Sequence, residues 1–137
     1  MFVTLTVSIC LSVGCVLTHA RASRALRALC ARRSLMRHLR LGMTYSGILV
    51  VHLLTAMVFA LAFAVMSALG YGSFEKEPDM SAMDLFYFSL INMTTLGLGD
   101  IYPVGHLRSM AGIEALTGFV MISCTAQLVH EVLHEDA

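Results

Sequence analysis

The chain has 137 residues, of which 58% are hydrophobic and only 13% charged, with no net charge. A water-soluble domain of this size needs far more polar surface, and several domains would not fit, so the composition points to one compact membrane domain. The charge is lopsided: of the nine basic residues, seven are arginines between Arg21 and Arg40.

The first apolar run covers residues 1–20, close to the roughly 20 residues that a helix needs to cross a bilayer. Thr18-His19-Ala20 loosely imitates a signal-peptide cleavage site, but Met1-Phe2-Val3-Thr4 lacks the basic n-region, so the run reads as a retained helix. Residues 21–42 form a basic linker without proline and with glycine only at its end. Its arginines do not gather on one helical face. Short arginine-rich loops stay in the cytoplasm, and this one is also placed to meet anionic lipid head groups between Arg21 and Arg40. Pinned between membrane segments, it is a poor nucleic-acid binder. No ladder of arginines marks the first helix, so no voltage sensor of the usual kind is expected.

The second apolar run, 43–69, is long enough to span with some tilt. Its one strongly polar member, His52, is expected to be a hydrogen-bonded interior residue. Gly70-Tyr71-Gly72 ends it, and an acidic loop with Glu75, Glu77 and Asp79 follows. Ser81-Ala82-Met83-Asp84 has the form of a capping box, which predicts a helix over 82–93. This stretch is too short to cross hydrocarbon at about 1.5 Å per residue, so it is expected to enter and leave on one side. The last apolar run, 107–133, leaves 134–137 as a tail, and no nucleotide- or calcium-binding regulatory domain is expected after it. The arginine bias puts the N-terminus outside, the 70–82 loop outside and the C-terminus in the cytoplasm, in a multi-pass plasma-membrane protein. The four cysteines (Cys10, Cys15, Cys30, Cys124) read as reduced thiols without a disulfide framework.

Residues 94–100 read Thr-Thr-Leu-Gly-Leu-Gly-Asp. A cation leaving water must exchange its hydration oxygens for protein oxygens, and backbone carbonyls supply strong dipoles without net charge. Pointing successive carbonyls inward needs alternating backbone handedness, which Gly97 and Gly99 tolerate. The side chains of Leu96 and Leu98 then point outward, and the Thr95 hydroxyl adds an oxygen. The preceding helix aims its negative C-terminal end at the membrane centre.

The stretch Phe86-Tyr87-Phe88-Ser89-Leu90-Ile91-Asn92-Met93-Thr94-Thr95-Leu96-Gly97-Leu98-Gly99-Asp100-Ile101-Tyr102-Pro103 resembles the pore loop of tetrameric potassium channels. With one helix before it and one after, 43–133 resembles the bacterial two-transmembrane pore module, about two thirds of the chain. The resemblance implies an all-α membrane protein: three transmembrane helices, a re-entrant pore helix and a selectivity-filter loop, assembled as a homotetramer. It implies potassium ions bound by Thr95, Leu96, Gly97, Leu98 and Gly99. Thr94, Asp100 and Tyr87 would support the filter, with Asp100 bonded to Tyr87, and Gly118 would be the gating hinge of the inner helix. The chain departs from the family at Leu98, where a tyrosine or phenylalanine is usual, and in lacking a tryptophan cuff. Ile91 stands where some members carry a carboxylate.

Glu114, an ionisable residue within the last apolar run, is expected to bond the back of the pore helix or filter. His130-Glu131-Val132-Leu133-His134 matches the H-E-x-x-H pattern of zinc peptidases, where two histidines share a helix face. It lacks a third ligand, so His130 and His134 are a speculative metal pair. The reading is a passive cation channel with potassium favoured, not an enzyme and without a cofactor beyond those ions. The alternatives are a weakly selective cation channel, a membrane metallopeptidase on His130, Glu131 and His134, and a non-conducting accessory subunit.

Overall fold

The computed structural model describes residues 1–31, 37–75 and 80–134. Arg32, Arg33, Lys76, Glu77, Asp79 and the tail 135–137 lie outside the described residues, as do the side chains of Cys30, Arg37 and His134. The described chain is α1 (Phe2–Ala31), α2 (Arg37–Ala68), β1 (Phe74–Glu75), α3 (Ala82–Met93), β2 (Tyr102–Pro103) and α4 (Leu107–His134). Three helices, Phe2–Leu29, His38–Ala68 and Leu107–Leu133, are long and apolar enough to cross a membrane. Each exceeds the hydrocarbon thickness of about 30 Å at about 1.5 Å per residue.

Helix extends into the basic segment from both ends. α1 runs past residue 20 to Ala31, and α2 already begins at Arg37. The reason is local: Ala, Arg and Leu are strong helix formers, and neither glycine nor proline falls between Cys15 and Leu41.

The short helix α3 is held between α2 and α4 by its apolar side. Phe63 of α2, Phe74 of β1 and Phe88 of α3 meet edge-on, with ring centroids 5.2–5.8 Å apart. β1 and β2 pair antiparallel, Phe74 opposite Pro103 and Glu75 opposite Tyr102. The chain therefore leaves at Glu75 and returns at Tyr102 on the same side, so the intervening segment is re-entrant.

α1 lies against α4 and α2 with a small, polar face. Thr4, Ser8, Cys15, His19 and Ser23 are buried, while Val3, Leu5, Ile9, Val13 and Leu17 are exposed. This inverts the pattern of a soluble helix. In lipid, apolar side chains gain nothing by facing inward, and helices associate through close packing and hydrogen bonds. The Ser12 and Thr117 hydroxyls bond each other at 2.7 Å, and His19 bonds the Thr125 hydroxyl at 3.0 Å. The His19 ring also stands edge-on to His52, with centroids 5.4 Å apart. His52 itself donates from Nδ1 to the Ile48 carbonyl at 2.9 Å. Cys10, Cys15 and Cys124 are free thiols.

Candidate ion-conducting filter and its supports

The site starts at the cap of α3. Asp84 N–H donates to the Ser81 hydroxyl at 3.2 Å, and Ser81 N–H donates to the Asp84 carboxylate at 2.9 Å, a reciprocal capping box. The Ser81 hydroxyl also donates to that carboxylate at 2.6 Å and, with the backbone bond, holds its pKa below the ordinary value of 3.8.

The other end of α3 leads directly into the Thr-Thr-Leu-Gly-Leu-Gly-Asp turn. Leu96 N–H bonds the Ile91 carbonyl at 3.1 Å, and Thr95 N–H bonds the Asn92 carbonyl at 2.9 Å. These are the two bonds of a Schellman motif, and they put Thr95 at the left-handed position where glycine is usual. Its φ is 59°, uncommon for any side chain and an outlier for a β-branched one. Gly97 and Gly99 follow at 53° and 72°. Positive φ at every second residue gives the alternating handedness that carbonyl lining demands. No atom lies within 4 Å of a Cβ built on either glycine, so their need for glycine within one chain is conformational, not steric. Sequence reasoning found the two glycines and named Thr95 as an ion ligand, but did not foresee its left-handed backbone, because nothing in a β-branched residue signals such a turn.

All of residues 94–100 are exposed in the single chain, with Leu96 63% and Leu98 58% accessible. Irregular backbone at membrane depth is tolerated only inside protein or along a water-filled cavity. Behind the turn, Tyr87 O–H donates to Asp100 Oδ2 at 2.7 Å, and Ile101 N–H donates to Asp100 Oδ1 at 3.0 Å. That bond to Asp100 raises the pKa of the Tyr87 hydroxyl. Farther out, Tyr102 O–H bonds the Glu75 carboxylate across the β1–β2 pair. The Thr94 hydroxyl donates to the Ile91 carbonyl at 3.0 Å.

Glu114 is fully buried between α4 and α3. Asn92 Nδ2 donates to its Oε2 at 2.6 Å and to the Ala111 carbonyl at 2.9 Å. The Ser89 hydroxyl bonds Glu114 Oε1 and also lies 2.7 Å from the Ala56 carbonyl of α2. Ser89 and Asn92 were not singled out from sequence. Their signal was present: besides Tyr87 they are the polar residues between Leu85 and Met93, one helical turn apart.

Gly118 sits one turn beyond Glu114. A Cβ there would fall 1.8 Å from the Met93 carbonyl oxygen, so α4 approaches the end of α3 at the distance only glycine permits. At the far end of α4, Glu131 pairs with Arg27 of α1, and Gln127 donates to it at 3.2 Å. The carboxylate that a peptidase would use as base is thus occupied. Among the described residues, no group of three His, Cys, Asp or Glu side chains is placed to hold a metal.

A family model described as ion channel matches residues 43–135. The chain is 38% identical over 74 residues to the voltage-gated potassium channel regulatory subunit KCNF1 of Rattus norvegicus, an alignment covering 51% of this chain and 15% of that protein. It is 31% identical over 80 residues to the inward rectifier potassium channel Kirbac3.1 of Paramagnetospirillum magnetotacticum, covering 58% of this chain and 26% of that one. Protein LctB of Geobacillus stearothermophilus is 33% identical over 70 residues, 46% of this chain and 52% of its own. The chain thus spans between about one seventh and one half of the length of these relatives. No solved structure matches. The family match takes in both flanking helices as well as the turn between them, and by it this multi-pass membrane chain belongs to the ion-channel family.

Proposed function

We propose that copies of this chain assemble as a homotetramer around one pore and conduct cations passively, with potassium the favoured ion. The observation that carries the proposal is the alternation of positive φ at Thr95, Gly97 and Gly99 within an exposed Thr-Thr-Leu-Gly-Leu-Gly-Asp turn. Four such turns facing an axis would present the carbonyls of Thr95, Leu96, Gly97 and Leu98, with the Thr95 hydroxyl, to a dehydrated ion. One chain supplies one turn. The exposure of Leu96 and Leu98 supports a neighbour that covers them.

Asp100 braces the turn through Tyr87, and Glu114 through Asn92. In this assembly the N-terminus is external, the C-terminus cytoplasmic, the location the plasma membrane, and the arginines from Arg21 to Arg40 meet anionic lipid. Gly118 lies where the inner helix would hinge. The work is conduction, without an enzymatic step.

The test is ion flux from liposomes loaded with potassium or with sodium. Potassium flux without sodium flux, lost in Gly97→Ala, is the expected result. Equal flux of both ions would make the channel non-selective and point to Leu98. No flux from a verified tetramer would overturn conduction. It would favour the accessory reading, for which the likeness to one relative that is itself a regulatory subunit is the specific support.

A further inference from the structure

The hydrogen bonds around Glu114 can be counted proton by proton. There are four: Ser89 to the Ala56 carbonyl, Ser89 to Glu114 Oε1, Asn92 to the Ala111 carbonyl, and Asn92 to Glu114 Oε2. The two backbone carbonyls accept only. The Asn92 amide brings two protons and uses both. The Ser89 hydroxyl brings one, yet its oxygen has two oxygen neighbours at bonding distance. Three protons serve four bonds. The fourth proton must sit on Glu114, whose O–H then donates to Ser89 while Ser89 donates to Ala56.

A carboxylate in the same place would leave two oxygens facing each other with no proton between them. The surroundings agree. From α3 Ser89 and Asn92 bond Glu114, and from α2 the Ala56 carbonyl bonds Ser89; from α1 the Cys15 thiol, bonded to Thr55, lies within electrostatic range. His19 and His52 lie about a turn away along α1 and α2, engaged with Thr125 and Ile48. Arg108 bonds the Pro103 carbonyl. No basic side chain of the described residues pairs with Glu114 to offset a charge in a buried, lipid-embedded position.

We infer that Glu114 serves as a neutral carboxylic acid, the proton donor of a clasp that joins α4 to both α3 and α2 and thereby positions the inner end of the filter. The route from clasp to filter is short. Asn92, held by Glu114 through its side chain, accepts the Thr95 N–H through its backbone carbonyl, and that bond fixes the left-handed turn at Thr95. Glu114 is a positioning residue in this account and touches no ion. The functional half of the inference rests on the channel reading; the protonation half does not.

The isostere decides it. In Glu114→Gln the carboxamide oxygen accepts from Asn92 and its N–H donates to Ser89, so all four bonds survive without an ionisable group. The experiment is an infrared difference spectrum, wild type against E114Q, of protein in liposomes at neutral pH, alongside the potassium-to-sodium flux ratio of each. A protonated-acid carbonyl band in wild type that is missing in E114Q is expected, with an unchanged flux ratio. Glu114→Ala should lower potassium flux or assembly by about tenfold or more, because it strands a buried donor. Alkaline pH should weaken wild-type flux and leave E114Q untouched. No acid band, or an assembled E114Q whose potassium flux is as impaired as that of E114A, overturns the inference. If E114Q does not assemble, carboxyl-labelled glutamate in wild type answers the same question: an acid band that shifts with the label supports it, and none overturns it. Should wild type carry no flux, the spectrum still tests Glu114 while the conduction reading fails separately.

Discussion

Replacing Gly118 with alanine sets two effects against each other. In a helix interior alanine is favoured over glycine by about 1 kcal/mol. Against this, the added Cβ would lie 1.8 Å from the Met93 carbonyl oxygen and 2.6 Å from both the Met93 carbonyl carbon and Cγ, where real Cβ contacts stay above 3.0 Å. The carbonyl is backbone at the last turn of α3 and cannot swing aside as a side chain can. α3 and α4 must therefore open by about 1.2 Å. The Asn92 bonds to Ala111 and Glu114, now 2.9 and 2.6 Å, bridge that seam, and such an opening would stretch them past the usual limit of about 3.2 Å. Overpacking costs about 1–3 kcal/mol, and a hydrogen bond contributes about 1 kcal/mol net. With both Asn92 bonds lost, the expected sum is a loss of about 2–4 kcal/mol per subunit after the helix-propensity gain. The assay is the thermal midpoint of the purified assembly, read beside potassium flux. Gly42→Ala, on α2 with nothing within 4 Å of its Cβ, is the control and should be neutral or slightly stabilising. A glycine needed only for hinge motion predicts the opposite sign: a stability gain with altered opening. G118A at or above wild-type stability with unchanged flux would refute the close-approach argument.

Tyr87→Phe removes the hydroxyl that holds Asp100 Oδ2 and keeps the backbone bond from Ile101 to Oδ1. Sodium flux should rise relative to potassium, and an unaltered ratio would show that Asp100 needs no brace from α3. Asp84→Asn should lower the thermal midpoint at neutral pH. The Asp84 pKa is depressed in the fold by Ser81, so its stabilisation is complete above the ordinary value of 3.8 and is lost as pH falls through the depressed one. The midpoints of wild type and D84N should therefore converge in acid; a constant gap would exclude the cap as the cause. Arg27→Glu or Glu131→Arg alone should loosen α1 from α4, and the exchanged pair should restore proteolytic protection of α1. The effect is small, below about 1 kcal/mol, because both side chains are partly exposed.

The sequence by itself determined the elements. Three long apolar runs have one stable form in lipid, because a helix satisfies its own backbone where no water can. The capping box at Ser81 and Asp84 and the shortness of the run behind it marked a helix that cannot cross. Thr-Thr-Leu-Gly-Leu-Gly-Asp, with its paired glycines, marked the turn. The arginine segment read as a basic linker; charge composition says where a stretch lies relative to the membrane, and the structure adds that α1 and α2 extend into it from either end.

Tertiary structure decided how these parts hold one another. Thr95 goes left-handed because the end of α3 closes over it. Gly118 is required by a carbonyl 25 positions earlier, and the buried proton of Glu114 is required by Ser89, Asn92 and Ala56 together. The polar face of α1 matters only because Thr117 and Thr125 of α4 stand opposite Ser12 and His19. Apart from the local closure at Thr95, these contacts join residues on different helices, far apart in sequence. Their meaning depends on which backbone atoms arrive beside them, and that is fixed only when the helices pack.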